Sequence, residues 1–215
     1  MAKIILADNG ISFDGKSALL SPMGGAEKAL VSLSESLVDL GHEVLVFNNC
    51  LKNIVYKGVN WIPISKNLPD SADLYIANRG DKLINLVPKA KHCVFWIHNP
   101  ASYLMKWRYL HKLWRRRPCI VFSSNYHTQT YPSWAPAGER LIIPYGVDKI
   151  FRERKMVSHL PGPKAVFTSN PLRSLDWLLD LWSKFVFSRA PNAELHVFSG
   201  SATYGEYGKT KETIM

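Results

Sequence analysis

Cysteine is scarce. Cys50, Cys93 and Cys119 are the three in a chain of 215 residues. Their number is odd, their spacing wide and their surroundings apolar, which argues against a disulfide framework or a zinc site and for core thiols. Long apolar runs are missing too. None approaches the ~18 residues that a transmembrane helix needs. The first run, in MAKIILADNG, meets Asp8 too soon for a signal peptide and reads as a strand, so the expected compartment is the cytosol. The dinucleotide fingerprint G-x-G-x-x-G is absent, which weakens an NAD-binding reading. Helix-turn-helix, RRM and zinc patterns are absent as well, which weakens a nucleic-acid reading.

The chain holds 47% hydrophobic and 20% charged residues, a globular composition, and its length suits one domain or two. The formal net charge is +10, and it is concentrated. Residues 91–163 carry 12 basic and 3 acidic side chains, whereas residues 1–90 balance at zero. Such a patch suits a polyanion: nucleic acid, an anionic membrane or a phosphorylated substrate.

Apolar runs of strand length alternate with helix-length stretches. Lys3–Asp8 and Glu43–Asn48 read as strands. Between them, Leu30, Leu33, Leu37 and Leu40 mark one face of a helix over Gly24–Leu40, stopped by Gly41. Asn9–Met23 reads as a loop. Asp73–Ala77, Cys93–Ile97 and Cys119–Ser123 continue the strands, which predicts an α/β, doubly wound parallel sheet over residues 1–150. A polar, Pro- and Gly-containing stretch, 151–163, reads as a linker. A new βαβ unit follows in 164–215: a strand at Ala165–Ser169, a helix at Arg173–Arg189 striped by Leu175, Leu178, Leu179, Trp182, Phe185 and Val186, and a strand at Leu195–Ser199.

Four places could carry chemistry. Pro22-Met23-Gly24-Gly25-Ala26-Glu27 opens a helix, where paired glycines and free N–H groups suit an anion; a tight turn capped by Glu27 explains the same residues. His98 ends a strand on the edge where open α/β sheets bind ligands. It could bond a sugar hydroxyl, carry a proton, or simply satisfy local backbone. Lys106–Arg117, KWRYLHKLWRRR, mixes six basic residues with aromatics. On a helix, Leu110, Leu113 and Trp114 share a face, with Trp107 one turn before. This segment suits an anionic membrane or single-stranded nucleic acid, or it packs as an ordinary outer helix. Finally, Thr168–Asp176 turns from strand to helix beside Arg173, a pyrophosphate cradle by type or a capped helix with a surface Arg.

GGAE opening the first helix, the strand ending in His98, SSNYH, IPYGVD and TSNPLRSLDWLLDLWSKFVFSRAPNAELHVFSG together resemble the GT-B-fold glycosyltransferases of family 4. The resemblance covers almost the whole chain. It implies two Rossmann-like domains, the second incomplete, and retaining transfer of a sugar from a nucleoside diphosphate sugar to a glycan or lipid-linked acceptor, with no metal ion. It implies donor contacts at Gly24, Gly25, Asn170, Arg173 and Gly200. His98 would lie near the transferred sugar and Arg173 would stabilise the departing diphosphate. Glu27, Lys106, Arg108, Lys112, Arg115, Arg116 and Arg117 would serve the acceptor side or an anionic membrane surface, which implies peripheral membrane contact. Two positions depart from the family: Asn170 where Arg is frequent, and Ser174 where Gly is. The family's paired-glutamate motif, E-x7-E, cannot lie in 201–215, so little turnover is expected of this chain alone. The alternative is a non-catalytic basic α/β module for nucleic acid or an anionic surface.

Overall fold

The structure, a computed structural model, describes residues 1–20, 23–147, 149–153 and 162–199. It divides into two compact units at Gly146 and Val147. In the first, the order is β1 (Lys3–Asp8), α1 (Ser17–Leu20), α2 (Gly25–Asp39), β2 (Glu43–Asn48), β3 (Ile54–Tyr56), β4 (Val59–Pro63), β5 (Leu74–Asn78), β6 (His92–Trp96), α3 (Trp107–Arg116), β7 (Cys119–Phe122), α4 (Asn125–Gln129) and β8 (Arg140–Ile142). The eight strands form one sheet in the order β3-β4-β2-β1-β5-β6-β7-β8. Every neighbouring pair is parallel except the β3–β4 hairpin.

Strand alternation explains the layering. Ile4 and Leu6 of β1 point into one core with Leu30 and Val31 of α2. Ile5 and Ala7 point into the other with Tyr109 and Leu113 of α3. Both faces of β1 are covered, so it reads as continuously apolar rather than alternating. Each fully buried Leu or Ile contributes roughly 1.5–3 kcal/mol. This is an α/β unit with a large, mostly parallel sheet, consistent with a Rossmann-like fold.

α2 ends as its sequence predicts. Gly41 is left-handed (φ 84), its N–H bonds the Val38 carbonyl and the His42 N–H bonds the Leu37 carbonyl, a Schellman closure. Its inner face follows the leucine spacing at Leu30, Leu33 and Leu37 and departs from it at Leu40. Val31 and Ser34 are buried while Leu40, the C-cap residue, is 72% exposed. The buried Ser34 hydroxyl is satisfied by the Leu30 carbonyl. The one-turn α1 corrects the loop expected over Asn9–Met23, where the Asp14 carboxylate accepts from the Lys16 and Ser17 N–H groups and starts a turn, and apolar patterning does not mark the short β3, β4 and β8. The β3–β4 turn uses Lys57 (φ 46) and Gly58 (φ 75), the backbone of a two-residue type I′ hairpin.

The second unit contains α5 (Lys149–Arg152) and the parallel pair β9 (Lys164–Phe167) and β10 (Glu194–Val197). A continuous helix joins them: α6 (Leu175–Leu181), a π-turn at Trp182–Val186 and α7 (Phe187–Arg189). No residue of 162–199 is buried. The apolar stripe expected on the helix is half-exposed or exposed, because two strands offer it too little surface. Most of the expected linker 151–163, together with Pro22 and Gly200, lies outside the described residues. Among the described residues no helix is long and apolar enough to cross a membrane.

Candidate functional site

The chain leaves β1 toward β2 on one side of the sheet and returns to β5 on the other. The loops after β1 and β5 therefore diverge, and a crevice opens at their C-terminal ends, where such sheets bind ligands. Two polar residues close these strands. Asp8 and Asn78 are register partners and both are fully buried. A buried carboxylate must be compensated. Asp8 accepts from the Asn78 side-chain amide at 2.6 Å, the Gly10 N–H at 2.7 Å and the Arg79 guanidinium at 3.2 Å.

These bonds fix His98. The Asp8 carboxylate only accepts, so Asn78 must turn its amide nitrogen to it and its Oδ1 to His98 Nε2, 2.6 Å away. Nε2 therefore carries the proton. Nδ1 is left with its lone pair and accepts from the Tyr145 hydroxyl at 2.5 Å. Burial, reinforced by the Arg79 charge, lowers the His98 pKa to about 4, so the ring is neutral at pH 7. The Tyr145 ring lies nearly parallel to it, and Trp96 packs against it at 4.7 Å between centroids.

Arg79 joins this chain to the glycine turn. Its guanidinium reaches both Asp8 and Glu27 of the first turn of α2. Burial disfavours the cation, and the two carboxylates more than offset that, raising its pKa further. Its backbone is left-handed (φ 54), a strain of about 1 kcal/mol or more in a non-glycine residue. Gly24 is required here. A Cβ on it would strike the Glu27 carboxylate, whereas one on Gly25 would meet nothing.

The structure thus brings His98, Gly24, Gly25 and Glu27 to one edge. Glu27 is committed to Arg79 rather than presented to solvent. Sequence reasoning missed Asp8, Asn78, Arg79 and Tyr145. The available signal was a polar residue closing each of two apolar strands, ILAD and YIAN. The SSNYH segment serves the fold: Ser124 caps α4, and buried His127 accepts from the Ser123 N–H and donates to the Asn99 carbonyl.

The basic segment divides in two. Lys112 pairs with Asp81 at 2.8 Å, and Arg116 donates to the Val87 and Pro88 carbonyls. Lys106, Arg108, Arg115 and Arg117 are exposed, although Arg108 lies 3.9 Å from Asp81 and Arg117 donates to the Ala137 carbonyl. Tyr109 and Leu113 form the inner face of α3. Trp114 is 72% exposed, which corrects the grouping of Trp114 with Leu113. Position 114 falls about 100° round the helix from 113.

In the second unit, the Asn170 side chain accepts from the Leu172 N–H, closing an Asx turn. Arg173 is exposed and makes no ion pair among the described residues. Ser174 is left-handed (φ 65), so the position where the resembled family favours Gly has backbone that suits Gly. The Ser199 hydroxyl bonds the Ser169 carbonyl, joining the loops that end β9 and β10. Among the described residues no group of three or more His, Cys, Asp or Glu could hold a metal ion. All three cysteines are free, and burial raises each thiol pKa, which suits packing better than nucleophilic work. No model of a known protein family matches the chain, and no curated protein matches it in sequence.

Proposed function

We propose that the chain is the acceptor-side domain and the opening of the donor-side domain of a retaining, GT-B-type glycosyltransferase. Its donor would be a nucleoside diphosphate sugar and its acceptor a glycan or lipid-linked saccharide, and it would work in the cytoplasm without a metal ion. The observation that carries this reading is the neutral His98, held as one tautomer at the C-terminal edge of the sheet beside the turn that opens α2. A sugar hydroxyl would take the place of the Tyr145 hydroxyl and donate to Nδ1 while Asn78 and Asp8 keep the ring oriented. A proton shuttle would need a pKa nearer 7 than the His98 value of about 4. In this reading Arg173, exposed and without an ion pair among the described residues, stabilises charge growing on the diphosphate. Gly24, Gly25, Asn170 and Gly200 border the donor.

The test is calorimetric binding and sugar-transfer assays with nucleoside diphosphate sugars and saccharide acceptors, with divalent cations chelated. We expect binding of sugar ligands, weakened about tenfold in His98→Ala, and little turnover by residues 1–215. Absence of any nucleotide-sugar or acceptor binding, with salt-steep binding to nucleic acid, would defeat the reading in favour of a basic binding module.

A further inference from the structure

We infer that the outer face of α3 is a docking surface for an anionic lipid bilayer. Trp107 and Trp114 are 78% and 72% exposed, and they stand two turns apart on the flank opposite the buried Tyr109 and Leu113. Two large apolar side chains left in water on one helix face are costly unless something covers them. A third exposed tryptophan, Trp134, lines an open cleft of about 700 Å³ with Trp114 and Arg117.

Charge decides what covers this face. α3 contains no carboxylate, and the one beside it, Asp81, pairs with Lys112 and lies 3.9 Å from Arg108. Arg108 and Arg115 flank the indoles, and Lys106 and Arg117 stand at the two ends, all exposed. A recess of about 360 Å³ beside the helix is lined by His111 and Arg115, with Lys112 and Arg116 held there by Asp81 and by the Val87 and Pro88 carbonyls. Glu139, in the cleft, is the one carboxylate among the residues lining either recess.

Shape separates the occupants. The two indoles are about 10.5 Å apart along the axis, and of the two only Trp114 lines the cleft. Single-stranded nucleic acid needs a groove that follows its backbone. A bilayer needs no such groove, with indoles at headgroup depth and cations on lipid phosphates. This surface is independent of sugar transfer, and either can fail without the other.

The experiment is co-sedimentation of the 215-residue chain with phosphatidylcholine vesicles, alone or with about a third phosphatidylglycerol. The chain is expected to pellet only with the anionic vesicles, and less as salt rises. Trp107→Ser/Trp114→Ser and Lys106→Gln/Arg115→Gln should each weaken binding about tenfold or more. In the unsubstituted chain, brominated lipids should quench tryptophan emission, a readout that needs no variant to fold. Equal pelleting with neutral vesicles, no pelleting with either, or no quenching overturns the inference. Tighter retention on a single-stranded oligonucleotide than on anionic vesicles overturns it in favour of nucleic acid.

Discussion

Asp8 and Asn78 end neighbouring central strands as register partners, and the Asn78 amide donates to the Asp8 carboxylate at 2.6 Å with both residues fully buried. That bond sets the orientation of His98 through the other end of the same amide. Asn78→Asp is nearly isosteric, yet it would place two carboxylates in contact in a buried site. It should destabilise the chain by about 3–5 kcal/mol at pH 7. The new carboxyl would have a raised pKa, so the deficit should shrink as pH falls toward 5. Urea unfolding at the two pH values measures this. A deficit independent of pH would show that the substitution acts through packing alone.

His98 gives a second pH signature. Its folded pKa, about 4, lies below the usual 6.5, so between these values the unfolded chain binds the proton and the folded chain does not. The preference for neutral His98 therefore stabilises the fold fully above pH 6.5 and is lost as pH falls toward 4. Two results are expected: an NMR titration of the His98 ring with its midpoint near 4, and a shallower loss of stability over this window in His98→Gln. A midpoint near 6.5 would mean that His98 is not buried beside Arg79 in solution.

Adjacent glycines should respond in opposite senses. Gly24→Ala would drive a methyl group into the Glu27 carboxylate and break its pair with Arg79. The expected loss is about 1–3 kcal/mol. Gly25→Ala adds a methyl group in open space at the first residue of α2 and should be neutral or stabilising by up to about 1 kcal/mol. Equal effects in thermal unfolding would rule out the Glu27–Arg79 pair as the reason for Gly24.

Which features were readable from sequence follows from the range of the forces involved. β1, α2 with its Gly41 stop, β2, β5, β6 and β7 were legible because apolar periodicity and cap chemistry act within a few residues. β3 and β4 are joined by the local Lys57-Gly58 turn but are short, and the β4–β2 and β8–β7 pairings that place them and β8 in the sheet depend on residues farther along the chain, so apolar periodicity does not mark them. His98 was found because it ends an apolar run. Asp8 and Asn78 end such runs too, but they are 70 residues apart, and only the crossover at β1 and β5 brings them into contact. Trp114 was grouped with Leu113 because spacing shows which residues lie near one another round a helix, not which side meets the core.

Stability should reside in the first unit. Every residue of both core clusters lies within 1–146, and no residue of 162–199 is buried. The described residues of 147–215 therefore contribute little of the burial that offsets chain entropy. A chain ending at Gly146 should unfold cooperatively with a Tm within about 4 °C of the full chain, a shift that ~1 kcal/mol produces at this size. Arg79 and the Trp96 and Tyr145 rings packed on His98 lie within 1–146, so the low His98 titration midpoint should persist in the shorter chain. Calorimetry and NMR on the two lengths decide this. A large drop in Tm would mean that the first unit needs the second. A His98 midpoint restored to about 6.5 would mean that the shorter chain no longer buries the ring beside Arg79.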